Sequence, residues 1–295
     1  MIKKITFKGD CPLHVATYIR EDNIIPDIIY IQGNCIYDIV DIVDIVDNEI
    51  IIQGNDVNRI LLPYNNHKVE ELFISNHYND TLIEIGDSLK PNLKVYSQSG
   101  KIILNNTILN ECNLTSIAGE IVLNNSSFNT LETNSFSDPI IIEKSTINNQ
   151  AILSNSDGEI LINESNIKCS NIATDSGDII INDCNKDFEQ IVTINSANGI
   201  IRINNSKMME TKIKTTLGTI SVNDSIIKKA ILRLYRKNNN IILKKSQIES
   251  LITESYLSPK IIKSQIDNHT STILEDILTE GSFKTSEKIL VIKQK

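Results

Sequence analysis

The chain has 295 residues, a formal net charge of −8, and 40% hydrophobic but only 5% aromatic residues. Ile and Asn are abundant, Trp is absent, and Gly and Pro are scarce. The negative charge argues against general adhesion to nucleic acid or to an anionic membrane, and no apolar run approaches the ~20 residues of a membrane span.

Residues 1–80 are the least regular part of the chain, and most of their charged side chains are acidic. The basic start, Met1–Asp10, is not followed by an apolar stretch, so it does not predict a signal peptide. Two segments, Asp27–Asn34 and Glu49–Asn55, resemble each other. They predict either early, divergent coils of a repeat or a β-rich cap over its first coil, because an exposed strand edge invites aggregation.

An aspartate series with Ile-Val pairs between its members comprises Asp38, Asp41, Asp44 and Asp47. Such carboxylates could bind a cation, but no glycine turn or oxygen-rich loop accompanies them, unlike an EF-hand. A duplicated triplet with its carboxylates in solvent is therefore the preferred interpretation. The spacing suits a helix and the β-branched residues suit a strand, and the sequence leaves that choice open.

From about residue 81 the chain repeats one short template. A glycine is followed by apolar residues two and four places later, by Asn at five places and by Ser, Thr or Cys at seven. The clear copies begin at Gly100, Gly119, Gly158, Gly177, Gly199 and Gly218, and weaker ones begin at Asp138 and Asn239. The step between copies is 19 to 22 residues, which is typical of stacked repeat proteins.

Each copy offers two or three short strands with one apolar face, as at Ile160 and Ile162. This apolar surface is too small to fold alone, so neighbouring copies must stack and share a core. The sequence therefore predicts an all-β fold, a right-handed parallel β-solenoid of about nine or ten coils. We expect residues 1–80 to form an acidic, irregular N-terminal region or cap, and residues 81–295 to form the solenoid.

The polar positions of the template predict the corners between strands. Asn tolerates left-handed backbone and hydrogen-bonds locally, so the repeated asparagines are expected to form a corner ladder. These residues are Asn105, Asn124, Asn163, Asn182, Asn204 and Asn223. Cys184 takes the Ser/Thr position and is expected to be a small packed thiol. The five scattered cysteines form no disulfide framework and favour a cytoplasmic location, with a surface or virion location left open.

Groups that could catalyse a reaction do not converge in the sequence. The four histidines are dispersed, and there is no Gly-x-Ser-x-Gly turn or Gly-rich phosphate loop. Carboxylates of neighbouring coils, such as Glu143 and Glu164, would need register shifts to act as a glycosidase pair. The sequence therefore predicts a protein that is not an enzyme, with no catalytic, cofactor or metal site.

A basic segment near residues 207–245 contrasts with the acidic N-terminal region. Its predicted partner-binding residues are Lys207, Lys212, Lys214, Lys228, Lys229, Arg233, Arg236 and Lys237. Opposite charge at the two ends of a solenoid would favour head-to-tail association or docking of an acidic partner, whereas solvated lysines are the simpler interpretation. Nucleic acid is disfavoured because Tyr235 is the only aromatic residue available for stacking among these basic residues.

The C-terminal residues, about 271–295, are expected to cap the last coil or to dock another subunit. Within them, Ser271–Leu278 is predicted to form a short amphipathic helix, and Lys288–Lys293 is predicted to form the last strand.

The repeated Gly-x-Ile-x-Ile-Asn-x-Ser unit resembles the coils of bacterial putative-adhesin β-solenoids and, more loosely, of bactofilins. The resemblance covers about residues 81–266. It implies a short-coil solenoid, and bactofilins polymerise end to end in the cytoplasm. The predicted function is a non-enzymatic structural or interaction protein that assembles with itself or docks another protein through its ends or flat faces. The alternative is a glycan- or surface-binding adhesin-like module, cellular or viral, and a carbohydrate-active enzyme is the least favoured function.

Overall fold

The structure is a computed structural model that describes residues 4–18, 30–33, 42–46, 49–53, 57–63, 69–86, 90–184, 190–236, 239–279 and 282–292. These residues form β-strands and no helix, and hence no helix that could cross a membrane. Parallel strands stack in about ten coils of about 19 residues, so the protein is a β-solenoid, as predicted. The chain divides into two compact units, residues 1–152 and 153–295.

The first unit contains two sheets. Its strands are β1 (Lys4–Gly9), β2 (Leu13–Tyr18), β3 (Tyr30–Gly33), β4 (Ile42–Val46), β5 (Glu49–Gln53), β6 (Val57–Pro63), β7 (Glu71–Asn76), β8 (Thr81–Glu84), β9 (Asn92–Ser97), β10 (Ile102–Asn105), β11 (Ile108–Ser116), β12 (Ile121–Asn124), β13 (Ser127–Ser135), β14 (Ile140–Glu143) and β15 (Thr146–Asn155), which contains the boundary between units. Sheet A has the order β4-β5-β1-β7-β9-β11-β13, and sheet B has the order β3-β6-β2-β8-β10-β12-β14.

The second unit continues the same alternation. Its strands are β16 (Ile160–Asn163), β17 (Asn166–Ile167), β18 (Cys169–Thr174), β19 (Ile179–Asn182), β20 (Ile191–Ser196), β21 (Ile201–Asn204), β22 (Lys207–Thr215), β23 (Ile220–Asn223), β24 (Ile226–Leu234), β25 (Ile241–Lys244), β26 (Gln247–Ser255), β27 (Lys260–Ile262), β28 (Gln265–Thr279) and β29 (Ser282–Ile292). Sheet A here runs β18-β20-β22-β24-β26-β28-β29, and sheet B runs β16-β19-β21-β23-β25-β27.

The core lies between the two sheets and is built from columns of equivalent side chains. Along short sheet-B strands such as β12 and β16, buried and half-exposed residues alternate, so the apolar template positions face inward. One column in the first unit is Ile102, Ile121 and Ile140, and one in the second unit is Ile160, Ile179, Ile201 and Ile220. All are buried. Burial of one such side chain stabilises the fold by about 1.5–3 kcal/mol, and the predicted isoleucine columns are confirmed.

The template glycines are required because the neighbouring coil leaves no room for a side chain. A Cβ atom on Gly199 would collide with the carbonyl oxygen of Gly177 in the neighbouring coil, and one on Gly218 would collide with that of Gly199. The turn is also closed by a side chain, because the N–H of Gly199 donates to Ser196 Oγ at 2.8 Å. Backbones therefore approach so closely at this corner that only a residue without a side chain fits.

The asparagine ladder forms, but the left-handed residue is not the one predicted. In the second unit, Asn182 Nδ2 donates to Asn163 Oδ1 at 2.9 Å, and Asn204 Nδ2 donates to Asn182 Oδ1 at 2.8 Å. The left-handed backbone occurs one residue later, as at Glu164 with φ 48° and Asp183 with φ 56°. The ladder asparagines are still paired as the last residues of their strands, so the chain must turn at the next position.

The hydroxyl position of the template binds two coils together. Ser206 Oγ donates to the carbonyl oxygen of Asn204 at 2.7 Å and accepts the N–H of Cys184 at 3.2 Å. Cys184 fills the same position, where its Sγ accepts the N–H of Ser165. Burial raises the pKa of this thiol to about 11, so the predicted small packed thiol is confirmed.

The N-terminal strands are stacked out of sequence order. In sheet A, β1 lies between β5 and β7 and is parallel to both, and in sheet B, β2 lies between β6 and β8. The outermost described strands, β3 and β4, are antiparallel to β6 and β5. The two similar segments therefore occupy different sheets and are not successive coils. The N-terminal cap itself stays a prediction.

Two further predictions can be compared with the strands. Within the aspartate series, residues 42–46 form strand β4, and Asp38, Asp41 and Asp47 lie outside the described residues. The predicted helix at Ser271–Leu278 is wrong, because these residues belong to β28, which pairs in parallel with β26 and in antiparallel with β29. The predicted last strand is confirmed for residues 288–292, which belong to β29, and Lys293 lies outside the described residues.

Candidate binding faces on sheet A

The outer face of sheet A carries aligned columns of side chains in both units. In β22 the burial alternates from Glu210 onward, so Glu210, Lys212 and Lys214 point outward while Thr211 and Ile213 point inward. The same three positions of other coils are their register partners. Because neighbouring coils are roughly 4.8 Å apart, residues in one column are close enough to interact.

Several of the predicted partner-binding residues share this outer face in the second unit. We call the set Glu210, Lys212, Lys214, Lys229, Arg233 and Glu254 the basic face. Lys207 and Lys228 lie earlier along β22 and β24, and Arg236 follows the end of β24 by two residues. Lys237 lies outside the described residues. Their role in partner binding stays a prediction.

Ion pairs within the basic face neutralise part of its charge. Glu210 Oε1 lies 3.1 Å from Lys212 Nζ and 3.4 Å from Lys229 Nζ. The hydrogen bond from Lys212, with the charges of both lysines, holds the pKa of Glu210 below its usual value. Arg233 Nε lies 3.0 Å from Glu254 Oε2.

Lys214 has an aromatic neighbour in place of an acid. Its ammonium lies 5.5 Å from the centroid of the Tyr235 ring, within the range of a cation–π contact. In the sequence, Tyr235 is distinguished only as the sole aromatic residue of the basic segment. The contact restricts the position of the Lys214 side chain at the edge of the basic face, and no acidic group among the described residues neutralises its charge there.

The corresponding face in the first unit holds a groove of about 270 Å³. Its two walls are columns of polar side chains, and we call these residues the groove set: Asn92, Lys94, Glu111, Asn113, Thr130 and Glu132. Gln150 and Ile152 extend the lining to a fourth strand, β15. The groove therefore crosses four consecutive sheet-A strands, roughly 14 Å at the usual strand spacing.

The groove differs from the basic face in how its polar groups are satisfied. Asn113 Nδ2 donates to Glu132 Oε2 at 3.0 Å, and Asn110 Nδ2 donates to Asn92 Oδ1 at 3.1 Å. Among the described residues, however, Lys94, Glu111 and Gln150 form no side-chain hydrogen bond or ion pair. The sequence predicted none of this groove. The only signal is that positions eleven and thirteen after the glycine are polar in two consecutive copies.

A second concavity lies where the described solenoid coils end. It has a volume of about 380 Å³ and is lined by Ile261, Ile266 and Ile273 together with His269. His269 faces inward in register with Leu251, and its Nε2 lies 3.2 Å from Thr253 Oγ1. Burial lowers the pKa of His269, which favours the neutral imidazole. His269 therefore occupies, at the end of the core, an inward position that is apolar in the preceding strand.

Stacked parallel coils, interior isoleucine columns and corner ladders define the protein as a β-solenoid repeat protein. Residues 46–192 match the model of a β-solenoid-like domain family described as Toastrack DUF4097, so this stretch is similar to that family. No curated protein and no solved structure matches the chain. The match supports the predicted fold, whereas the resemblance to putative adhesins or bactofilins is not confirmed.

Proposed function

We propose that the protein is a non-enzymatic structural and interaction protein that docks a partner, either another protein or a second copy of itself, on its sheet faces. The observation that carries this proposal is the strict register of the coils, which aligns outward side chains into flat columns. Flat, periodic surfaces favour extended contacts. The polar template residues are used inside the coils, where they bind one coil to the next.

The basic face is the proposed contact in the second unit. Lys212, Lys214 and Arg233 are exposed there, and only two carboxylates, Glu210 and Glu254, balance four basic side chains. A partner with an acidic surface would gain from this excess, mainly in association rate and specificity. Since the whole chain is acidic, a second copy can also supply such a surface.

Light scattering and electron microscopy at ~0.01 M and ~1 M ionic strength test self-assembly, because the Debye length falls from ~30 Å to ~3 Å between them. Self-assembly predicts oligomers or filaments that dissociate at high salt. The double variant Lys214→Glu/Arg233→Glu should remain monomeric, whereas the control Lys168→Glu/Arg202→Glu, with the same charge change elsewhere, should still assemble. A monomer at both salt concentrations would rule out assembly through this face.

A cytoplasmic location is part of the proposal. Cys11, Cys112, Cys169 and Cys184 are free thiols, which suits a reducing compartment. Fractionation of cells with an antibody to the chain tests this, and recovery from the medium or the cell surface would contradict it.

Glycan binding is the second candidate function. It is favoured by the groove of the first unit, where the outward side chains of Lys94, Glu111 and Gln150 form no hydrogen bond or ion pair with any residue that the structure describes.

A further inference from the structure

We propose that the groove of the first unit binds a linear, hydroxyl-rich glycan that lies along the stacking direction of the coils. This inference deepens the second candidate function and is independent of assembly through the basic face. The groove runs across β9, β11, β13 and β15, so its length of roughly 14 Å is set by the strand spacing. A linear polymer matches this shape better than a compact ligand does.

The side chains of the groove suit hydroxyl groups. A sugar hydroxyl both donates and accepts, and it is best bound where amides, carboxylates and an ammonium lie close together. Asn92 and Asn113 supply amides, and Glu132 already accepts one hydrogen bond from Asn113. This pairing holds both side chains in place, which reduces the entropy lost on binding.

Three charged or polar groups are available to a ligand. Lys94 and Glu111 are on neighbouring strands and could reach each other diagonally, yet they form no ion pair among the described residues, and Gln150 is also without a side-chain hydrogen bond there. The equivalent position to Glu111 in the second unit is Glu210, which is bound to two lysines. Thus the same template position is internally satisfied in one unit and open in the other.

Peptide recognition fits the groove less well. Peptides commonly bind to β proteins by adding a strand to a free sheet edge. Strands β9 and β11 are paired on both sides, β9 with β7 and β11 and β11 with β9 and β13, so their backbone groups are already used. The groove offers side chains on a sheet face, which is the geometry of a surface that binds rings and hydroxyls.

An aromatic side chain lies one outward position beyond the lining of the groove. Tyr96 follows Lys94 by two residues on β9, so both point outward, and its ring is half-exposed. The Tyr96 ring packs edge-on against His77 with centroids 6.1 Å apart, which fixes its orientation. A sugar ring can place its C–H face on such a ring. Nucleic acid is disfavoured, because Glu111 and Glu132 would repel phosphates.

The test uses the full chain and an array of linear oligosaccharides six sugars long, with positive spots measured by calorimetry. Binding of at least one oligosaccharide is expected. Thr130→Trp, which fills the groove from β13, should weaken it by at least about tenfold, equivalent to ~1.4 kcal/mol. The matched control is Ser250→Trp, because Ser250 is half-buried at the equivalent template position of β26 in the second unit. It should leave the affinity unchanged.

Glu111→Gln keeps the shape of the groove while removing a charged acceptor, so it tests the site even if a tryptophan variant fails to fold. It should weaken binding measurably with an unchanged melting temperature. Three results would overturn the proposal. The chain could bind no oligosaccharide at ~1 mM, or it could bind one with an affinity that neither groove variant changes. In the third, Thr130→Trp would abolish the binding of a peptide and leave the binding of every glycan unchanged. None of these results affects salt-dependent assembly, which depends on the other face.

Discussion

The regular coils and the N-terminal layers, which are formed by strands β1 to β7, have the same strand geometry but differ in the order in which their strands are stacked. In the coils, a strand pairs with the equivalent strand of the next copy, as Leu109 pairs with Phe128. In the N-terminal layers, β1 lies between β5 and β7, so Phe7 pairs with Ile52 on one side and with Ile74 on the other. Coils need only their sequence neighbours, whereas these layers require long-range closure. A defect should therefore remain local in the coils and spread across distant segments in the N-terminal layers.

The largest expected effect comes from Phe7→Ala, compared with Phe128→Ala. Both rings are completely buried, so each truncation should lower the free energy of unfolding by about 3–5 kcal/mol. Hydrogen exchange should separate the two variants. Phe7→Ala should reduce amide protection in both 49–53 and 71–76, while Phe128→Ala should reduce it in the strands adjacent to β13. Unchanged protection at 49–53 in Phe7→Ala would contradict the inserted position of β1.

Gly199→Ala tests the regular side of the comparison. The new Cβ would collide with the backbone of Gly177, so two coils must separate locally. We expect a loss of about 2–4 kcal/mol in the free energy of unfolding, measured by denaturant titration. Asn198→Ala, one residue earlier in the same exposed turn, is the control and should change stability by less than ~0.5 kcal/mol. Equal effects at both positions would mean that the coil spacing is not limited by the glycine.

Cys184 allows a smaller test of how one coil depends on the next. Replacement by Ser restores the oxygen that the other copies use and should be close to neutral. Cys184→Ala should lower the free energy of unfolding by about 1–3 kcal/mol, because the Ser165 N–H then loses its buried acceptor. Thermal melts of the two variants make the measurement. A serine variant as unstable as the alanine variant would show that the thiol contributes through packing alone.

The sequence was sufficient for the regular coils, because their information is local and repeated. Alternation at Ile160 and Ile162 specifies the buried face, and the interval between glycines specifies the register. The order of the N-terminal strands could not be predicted, since no periodicity marks the pairing of Lys4 with Glu49 and Glu71. At Ser271–Leu278 the apolar spacing suggested a helix, but parallel pairing with β26 overrides that local preference.

The candidate site was less predictable than the fold. The basic residues near 207–245 were visible as a cluster, but their ion pairs with Glu210 and Glu254 depend on which coils are neighbours. The groove depends on outward residues of several coils, and these positions vary in chemistry from copy to copy. Packing constrains the inward positions in every copy, whereas nothing in the fold constrains the outward ones. The residues that determine function in such a protein are therefore expected at the outward positions, where the repeated sequence varies most.

The smallest predicted effect concerns the left-handed corner and should be stabilising. Several coils place Asn there, as at Asn125 and Asn205, whereas the coil of Glu164 has a residue that resists a φ of 48°. Glu164→Asn should raise the free energy of unfolding by about 0.5–1 kcal/mol, and Glu164→Ile, whose branched side chain resists this backbone, should lower it.

Chemical denaturation of the two variants alongside the native chain would measure the difference. The side chain at 164 is exposed and its N–H donates to the carbonyl oxygen of Asn182 in every variant, so packing and backbone pairing stay constant. Corner asparagines can also bond to the neighbouring coil, as Asn205 Nδ2 donates to Asp183 Oδ1, so a stabilisation would report the backbone conformation together with any such bond of the new amide. The absence of a stabilisation would mean that the coil on either side, not the corner residue, sets the energy of the turn. Because the corner recurs in successive coils, a gain at Glu164 should add to a gain at a corner several coils away in the same unit, such as Lys263.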